Sequence, residues 1–337
     1  MRLTTPKNSG RSVPSARAIF RDATLRVRRK IKGKPAKDRV RVGPQPINKG
    51  DQANLLLREV VEAGRPSLVA RLGTTENSVV KYFVEHEKSG ECEFPQELKI
   101  AIRDLSGFFP PTDEMLSRFS RETLEHLSQV DVLGVRDRTS EWEFWPFEDF
   151  FVQNFTPEAQ LVALEMLAPI GDPQSWTQYL RGKKVLVIHP FDETIRSQFQ
   201  KREQIFPDFD FLPAFDLIVI PAVQSVGDNS SHVPYDNWFG ALETMKDHIR
   251  STDFDIALIG AGAYGLFLAA ECKKLNRPAV QIGGALQLLF GITGKRWLDP
   301  ASPDSALVLP SVNEHWVAPL DSEIPAGANK VEGGCYW

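Results

Sequence analysis

The chain has 337 residues, of which 42% are hydrophobic and 25% are charged, as in ordinary soluble globular proteins. No apolar run approaches the roughly 20 residues of a membrane-spanning helix, and no apolar segment follows the basic N-terminus as it does in a secretory signal. The three cysteines are scattered without metal-ligand spacing, so the composition indicates a reducing, cytoplasmic environment.

The net charge of −4 conceals a basic arm at the start of the chain. The first 43 residues contain 14 lysine and arginine residues against two aspartates, whereas the remainder is acidic. This arm, residues 1–45, is a candidate for contact with an anionic membrane surface or an acidic partner, or else a solvated and disordered tail. It shows no nucleic-acid motif, so we expect no nucleic-acid partner. The expected location is the cytoplasm, with attachment at the inner membrane face as the alternative.

Apolar periodicity divides the chain into a helical first half and a second half in which strands and helices alternate. In the first half it predicts strands over 67–71 and 130–135, and helices over 51–63, 77–87, 97–105, 113–127, 157–167 and 175–180. In the second half it predicts strands over 185–188, 217–220, 254–259 and 279–282, and helices over 193–204, 238–249 and 266–274. Residues 46–300 are therefore expected to form an α/β domain with a mostly parallel, Rossmann-like sheet flanked by helices, on which a tail of residues 301–337 packs.

Two local expectations concern side chains of the first half. The first helix is expected to be capped by Asp51 and to bury one apolar face, formed by Leu55, Leu56, Val60 and Val61. The aromatic segment 142–147 is expected to pack in the core or an interface, or to form a stacking wall for a sugar or a base.

A charged corner stands where the strand over 67–71 gives way to a helix. Its sequence, Arg71-Leu72-Gly73-Thr74-Thr75-Glu76, places a cation, a flexible backbone and a carboxylate within one turn. Such a corner lies at the carboxyl edge of the sheet, where open α/β folds bind ligands. The alternative is an ordinary turn, with Glu76 as a first-turn helix acid and Arg71 as a surface cation.

A second corner, Gly260-Ala261-Gly262-Ala263-Tyr264-Gly265, matches the pattern Gly-x-Gly-x-x-Gly between a strand and a helix. Glycines let the backbone approach a diphosphate, and the helix N-terminus offers N–H groups to it. A dinucleotide site also needs an acid at the end of the next strand, but Gln281-Ile282-Gly283 stands there. We interpret Gly260, Gly262 and Tyr264 as a diphosphate-facing turn. An NAD-dependent oxidoreductase and glycines that serve close packing alone remain as alternatives.

The two corners together resemble one family. Arg71-x-Gly73-x-x-Glu76 resembles the Arg-x-Gly-x-x-Glu signature of GT-D-type glycosyltransferases, and residues 256–283 resemble that family's strand–glycine–helix–strand unit. The resemblance covers roughly residues 51–290. It implies a nucleotide-sugar donor, a UDP-sugar above all, and a glycan or lipid-linked acceptor in surface polysaccharide or glycoprotein assembly. It also implies a divalent metal, Mn²⁺ or Mg²⁺, on the diphosphate.

The position after Gly73 departs from the family in a way that bears on the metal. The corner often reads Arg-x-Gly-Asp-Gly-Glu in the family, whereas Thr74 stands at the Asp position here. A hydroxyl is a poorer ligand for a hard divalent cation than a carboxylate is. The metal role that the resemblance implies for Glu76 is therefore left open.

Glycosyl transfer requires that charge on the leaving phosphate be stabilised and that the acceptor hydroxyl lose a proton. We expect Arg71 to contact the phosphate and Glu76 to act as the base, to shield the sugar or to hold the metal. The remaining donor-binding candidates are Gly73, Thr74, His189, Gly260, Gly262, Tyr264, Lys295 and Arg296. A non-catalytic nucleotide-sugar-binding protein is a further alternative, suggested by Thr74.

Overall fold

The computed structural model describes residues 35, 37–227, 229–300, 302, 305–331 and 333–337. The predicted basic arm lies mostly outside these ranges, and so does the membrane contact predicted for it. Within them, no helix combines the length and the apolar character that crossing a membrane requires.

In these ranges nine strands form one sheet. In chain order they are β1 Arg41–Val42, β2 Gln45–Asn48, β3 Leu68–Arg71, β4 Val132–Val135, β5 Gln160–Ala163, β6 Lys184–His189, β7 Asp216–Pro221, β8 Ile256–Ile259 and β9 Ala279–Gln281. Their order across the sheet is β1-β2-β5-β4-β3-β9-β8-β6-β7. Only the pairing of β1 with β2 is antiparallel among these strands, so the predicted α/β fold with a mostly parallel sheet is confirmed.

The winding of the sheet changes direction between β3 and β9. From β3 the chain adds β4 and then β5 on one side, while β9 borders β3 on the other side, with Val69 opposite both Val132 and Val280. The other half runs 9-8-6-7, which differs from the order 3-2-1-4-5-6 of the common dinucleotide-binding fold. Ligands of open α/β sheets bind beyond the carboxyl ends of the strands at such a switch point. The ends of β3, β9, β8 and β6 therefore mark where a site is expected.

Helices cover the sheet. They are α1 Gly50–Ala63, α2 Thr74–His86, α3 Gln96–Ser106, α4 Asp113–Leu127, α5 Trp145–Phe155, α6 Asp192–Phe199, α7 Arg202–Ile205, α8 Trp238–Arg250, α9 Gly265–Lys274, α10 Lys295–Leu298 and α11 Ser305–Val308. Every residue of β4 and of β8 is buried. Because successive side chains of a strand point to opposite faces, this burial shows that both faces of the sheet are covered.

Helix α9 anchors the switch region. It packs against β3, β8 and β9 and against α4 and α8. Its Phe267 ring lies 5.5 Å from Phe119 of α4 and 5.1 Å from Trp238 of α8, both measured between ring centroids. This buried aromatic cluster holds the start of α9, and with it the glycine turn, in a fixed position on the sheet.

Three predictions for the first half of the chain are wrong. Residues predicted as a helix over 157–167 form β5 and a 3-10 turn, because Leu161 pairs with both Ile47 and Leu133 in neighbouring strands. Helix α1 begins at Gly50 without a side-chain cap, so Asp51 lies in its first turn. The buried face of α1 includes Leu57, whereas Leu55 is 55% exposed.

Smaller differences concern element ends. The helix predicted over 193–204 is divided into α6 and α7, and the segment over 175–180 forms a 3-10 helix, Trp176–Leu180. The turn-rich segment at residues 42–46 lies within the hairpin of β1 and β2, which no apolar periodicity indicated. The other predicted strands and helices are present, with ends that differ by at most three residues.

Candidate functional site

A cavity of about 620 Å³ lies at the carboxyl ends of β3, β6, β8 and β9. Its size falls within the range of about 300–1,000 Å³ that is usual for small-ligand sites. Nine of the ten predicted site residues line it: Arg71, Gly73, Thr74, Glu76, His189, Gly260, Gly262, Tyr264 and Arg296. The tenth, Lys295, is exposed and lies outside the lining.

Arg71 is the last residue of β3 and stands beside the switch point. Its Nε is buried without a hydrogen-bond partner, and in the described part of the chain its guanidinium forms no ion pair. Burial lowers the pKa of Arg71, and the nearby Arg136 and Arg296 lower it further, although Tyr336 and Glu76 act in the opposite direction. An arginine remains charged in a protein, so this side chain favours an anionic ligand.

A glycine makes room for the Arg71 side chain. Gly283, just beyond β9, has a φ of +75°, and a Cβ built on it would lie 2.8 Å from Nη1 of Arg71. Any other residue at this position would be strained in its backbone and would displace the guanidinium.

Glu76 lies in the first turn of α2, whose N-cap is Gly73. Its carboxylate folds back over Gly73 so closely that a Cβ on this glycine would collide with Oε2. Among the residues that the structure describes, no side chain forms a hydrogen bond or an ion pair with this carboxylate. Negative charge in the first turn stabilises a helix, yet the same position leaves both carboxylate oxygens available to a ligand.

Arg136, which the sequence analysis did not assign to the site, also lines the cavity. It follows β4, the neighbour of β3, and is 8% exposed. Its Nη1 donates to Glu148 (2.8 Å), its Nε lies 3.3 Å from Glu141, and its Nη2 donates to Thr74 Oγ1 (3.3 Å). The guanidinium also lies 4.5 Å from the ring centroid of Phe144. The sequence feature that could have identified Arg136 as a site residue is its position directly after the predicted strand over 130–135.

Arg296 supplies a third cation at the mouth of the cavity. Its Nη1 donates to the Tyr336 hydroxyl (3.3 Å), and its guanidinium lies 4.9 Å from the ring centroid of Tyr336. The Tyr336 ring packs on Gly284, where a Cβ would collide with it. The segment around Tyr336 is held by Arg296 N–H, which donates to Cys335 (3.0 Å), and by Gln287, which donates to the Tyr336 carbonyl (3.1 Å).

His189 ends β6 and is 2% exposed. Burial lowers its pKa to about 3, so the imidazole is neutral at physiological pH. Its Nδ1 accepts a hydrogen bond from Phe191 N–H (3.1 Å), which assigns the ring proton to Nε2. The ring can therefore donate one hydrogen bond to a ligand but carries no charge with which to hold a phosphate.

The glycine turn is explained by packing. A Cβ on Gly260 would lie 2.6 Å from Cδ2 of His189, and a Cβ on Gly265 would lie 3.0 Å from the Gln281 side chain. Gly262 has a φ of +51°. The Tyr264 ring is buried and stacks on Trp238 at 4.6 Å between centroids, so its side chain belongs to the core rather than to a diphosphate contact. The pattern Gly-x-Gly-x-x-Gly thus requires no dinucleotide.

Two further polar atoms of the cavity lining lack partners. Asn77 donates its Nδ2 to the Gly73 carbonyl (2.9 Å), which fixes the amide and leaves Oδ1 buried without a hydrogen bond. Thr123 Oγ1 of α4 is likewise buried and unpartnered. Buried polar atoms without partners are unfavourable, so hydroxyl groups of a ligand would be stabilised at both.

The side chains at the first corner do not fit the divalent metal that the resemblance implies. Thr74 offers a hydroxyl that is bonded to the guanidinium of Arg136, and Glu76 contributes one carboxylate. No group of three or more His, Cys, Asp or Glu side chains suited to a metal ion occurs in the described ranges. Hard divalent cations prefer several charged oxygens and are repelled by a guanidinium, so this lining suits an anion better.

The low pKa of His189 makes stability depend on pH. The native pKa of about 3 lies below the unfolded value of 6.5, so the unfolded state binds the extra proton and stability falls as pH decreases. Between pH 7 and pH 5 we expect His189 to account for a loss of about 2 kcal/mol in the free energy of unfolding. Urea titrations of the wild type and of His189→Gln at both pH values should differ by this amount. Burial also lowers the pKa of His126, to about 4, but His126 is present in both proteins, so its contribution to the comparison cancels. An equal pH dependence of the two proteins would contradict the assignment.

No protein-family model and no curated protein sequence matches the chain. Among solved structures, a selenomethionine-substituted domain of unknown function 1792 is 12% identical, with a TM-score of 0.39 over 72% of this chain and 79% of that chain. A second, described as this highly conserved domain with a distinct glycosyltransferase fold, is 13% identical, with a TM-score of 0.39 over 71% and 78%. A third, described as a new glycosyltransferase (DUF1792) from Streptococcus sanguinis, is 15% identical, with a TM-score of 0.38 over 71% and 82%. The function of this chain is therefore inferred from the residues of its own site.

Proposed function

We propose that the protein is a glycosyltransferase that moves a sugar from a nucleotide-sugar to an acceptor hydroxyl. The observation that carries this proposal is the Arg71 guanidinium, which has no ion pair among the described residues and whose Nε is buried without a partner, together with the unpaired carboxylate of Glu76 in a cavity at the switch point of a parallel sheet. A cation and a base side by side are what transfer from a phosphate leaving group requires. The resemblance of this corner to the GT-D-type signature supports the same reaction.

In the proposed reaction the bond between the anomeric carbon and the donor's phosphate oxygen breaks, and the nucleoside diphosphate leaves with the bonding electrons. Arg71 stabilises the charge that grows on that phosphate through charge-assisted hydrogen bonds. The acceptor oxygen bonds to the anomeric carbon and its proton passes to Glu76. Glu76 also shields the positive charge of the sugar in the transition state.

The remaining lining offers contacts to the sugar or the base of the donor. Asn77 Oδ1 and Thr123 Oγ1 are buried without partners, and neutral His189 keeps a proton on Nε2. Phe144 presents a ring that already lies against the guanidinium of Arg136. Polar atoms of this kind orient a sugar through its hydroxyl groups, whereas an aromatic face supports stacking.

We further propose a UDP-sugar as the donor and a glycan or a lipid-linked glycan as the acceptor, in surface polysaccharide or glycoprotein assembly. The support for both is the resemblance of the two corners to the family. A cytoplasmic enzyme whose basic arm contacts the inner membrane face would meet lipid-linked acceptors there. The identity of the sugar is decided by contacts that a donor complex would reveal.

Two other functions were compatible with the sequence. An NAD-dependent oxidoreductase depends on the glycine turn, but packing against His189 and Gln281 explains its glycines, and Gln281 stands where a ribose-binding acid would be needed. A non-catalytic nucleotide-sugar-binding protein would use the same cavity without turnover. It is distinguished from the enzyme by the release of nucleoside diphosphate.

A thermal-shift panel tests the proposed ligand class. We expect at least one of the UDP-, GDP- or dTDP-sugars to stabilise the protein by about 2.7 kcal/mol when present at about 100 times its dissociation constant. CMP-sugars have a single phosphate and are expected to stabilise it less. Each nucleotide-sugar and NAD should be tested with and without Mn²⁺. Stabilisation by NAD alone would overturn the proposal.

A further inference from the structure

We propose that three guanidinium groups, those of Arg71, Arg136 and Arg296, hold the donor's diphosphate in place of a divalent metal. This inference rests on the proposed function, because it names how the donor is bound. The three arginines come from three separate places, the ends of β3 and β4 and the start of α10, and all line one cavity. Of the three arginines, Arg136 lies next to the place where the resemblance implies a metal.

The contact between Arg136 and Thr74 is the central observation. Thr74 stands at the position where the resembling family often has an aspartate, and its Oγ1 accepts a hydrogen bond from Arg136 Nη2 at 3.3 Å. A positive group of the protein thus already occupies the neighbourhood in which an Asp-x-Glu pair would hold a cation. A metal placed there would lose one carboxylate ligand and would also lie against a like charge.

The arginines are held in place before any ligand binds. Arg136 is fixed by Glu148, which is 1% exposed, and by Glu141. Arg296 is fixed by the Tyr336 hydroxyl and ring. A guanidinium whose rotamer is already fixed loses little conformational entropy when it binds phosphate, and its planar N–H groups can engage two oxygens at once.

Of the three arginines, Arg71 has an N–H group that is free to bind a ligand. Its Nε is buried without a partner, while Arg136 and Arg296 are close enough to lower the pKa of its guanidinium. Glu76 is the acid nearest to it in the first corner, and it raises that pKa less than the two arginines and burial lower it. A diphosphate would supply the missing acceptors and would relieve the repulsion between the cations.

Three arginines in place of a metal stabilise the leaving group in a different way. The arginines remain protonated throughout, so the leaving diphosphate is stabilised by hydrogen bonds and charge without a proton transfer from them. No step then depends on a bound metal. Turnover is therefore expected to persist in a chelator.

Isothermal titration of the full chain with inorganic diphosphate, in buffer with excess EDTA, tests this inference. We expect the wild type to bind, and we expect Arg136→Gln and Arg296→Gln each to weaken binding about 10- to 100-fold. Lys295→Gln is the matched control, because this neighbouring cation is exposed and outside the cavity lining. It should bind like the wild type. If Lys295→Gln loses as much affinity for diphosphate as the arginine variants do, the loss reflects the overall surface charge, and the inference is overturned.

A second variant tests Arg136 without replacing it. Arg136 pairs with the buried Glu148, so Arg136→Gln is expected to be less stable than the wild type. Thr74→Asp keeps all three arginines but places a carboxylate beside Arg136. We expect it to bind inorganic diphosphate about 10-fold more weakly in EDTA, because the new acid pairs with Arg136, and to recover when Mn²⁺ replaces EDTA. Unchanged affinity in EDTA would contradict the role of Arg136.

The outcomes separate this inference from the proposed function. If the protein binds diphosphate in EDTA but binds no nucleotide-sugar, the arginine site is supported and the proposed glycosyltransferase function is overturned. Conversely, nucleotide-sugar turnover that stops in EDTA and returns with Mn²⁺ would leave the glycosyltransferase standing and overturn the metal-free site. Turnover of the wild type that is equal in EDTA and in Mn²⁺ is the result that the inference predicts.

Discussion

Replacing Glu76 with glutamine is expected to lower the release of nucleoside diphosphate from the donor by about 10²- to 10⁴-fold, the usual contribution of a positioned general base. The amide keeps the shape of the side chain but cannot accept the acceptor's proton. Donor affinity is expected to change little or to rise slightly, because the negative charge nearest Arg71 is removed while the phosphate contacts remain. The loss therefore falls on kcat rather than on KM.

The measurement is the rate of nucleoside diphosphate release at saturating donor, with donor affinity measured separately by titration. Glu85→Gln is the matched control, since Glu85 lies on the same helix but pairs with Lys81 on the surface. A second variant, Gly73→Ala, keeps the carboxylate and displaces it, because the new Cβ would collide with Oε2 of Glu76. We expect it to reduce turnover as well. Full activity of Glu76→Gln would remove Glu76 from the reaction, whereas no release of nucleoside diphosphate by the wild type itself would favour a binding protein.

Replacing Arg71 with methionine is expected to weaken donor binding strongly while leaving the free protein as stable as before or more stable. Its guanidinium is desolvated, and in the part of the chain that is described it has no ion pair, so its charge opposes folding in the absence of ligand. We expect the free energy of unfolding to rise by about 1 kcal/mol, as when buried charges are replaced by apolar groups of similar size. Turnover is expected to fall by about 10²- to 10³-fold.

Urea unfolding with and without donor separates the two effects. The wild type should be stabilised by donor, whereas Arg71→Met should be insensitive to it. Arg71→Lys serves as the graded comparison, because it keeps the charge and loses the planar pair of N–H donors. It should retain part of the donor effect. A large destabilisation of free Arg71→Met would instead identify Arg71 as a structural residue.

The fold was predictable where local pattern and tertiary context agree. The strands β6 and β8 are short apolar runs bounded by turns, and they form the buried centre of the second half as expected. The strand β5 was missed because Gln160–Ala163 fits a helical period, and only pairing with β2 and β4 makes it extended. The face of α1 was misassigned at Leu55 for a similar reason, since which side of a helix is covered depends on its neighbours.

The candidate site was predictable to the extent that parallel strands bring their carboxyl ends to one edge. This rule placed Arg71, His189 and Gly260 near one another, although they are far apart in the chain. Arg136 was missed because a cation after a strand is common, and its contact with Thr74 depends on the pairing of β3 with β4. Tyr336 was missed because its position comes from long-range contacts with Arg296 and Gly284, which leave no local pattern.

A crystal structure of the protein grown with UDP in excess EDTA tests the central claim most directly. We predict that both phosphates lie within hydrogen-bond distance of Arg71 and Arg136, with Arg296 at the mouth of the same cavity and no metal between Thr74 and Glu76. A nucleotide bound elsewhere, or one whose phosphates contact only the backbone of residues 260–264, would contradict the account.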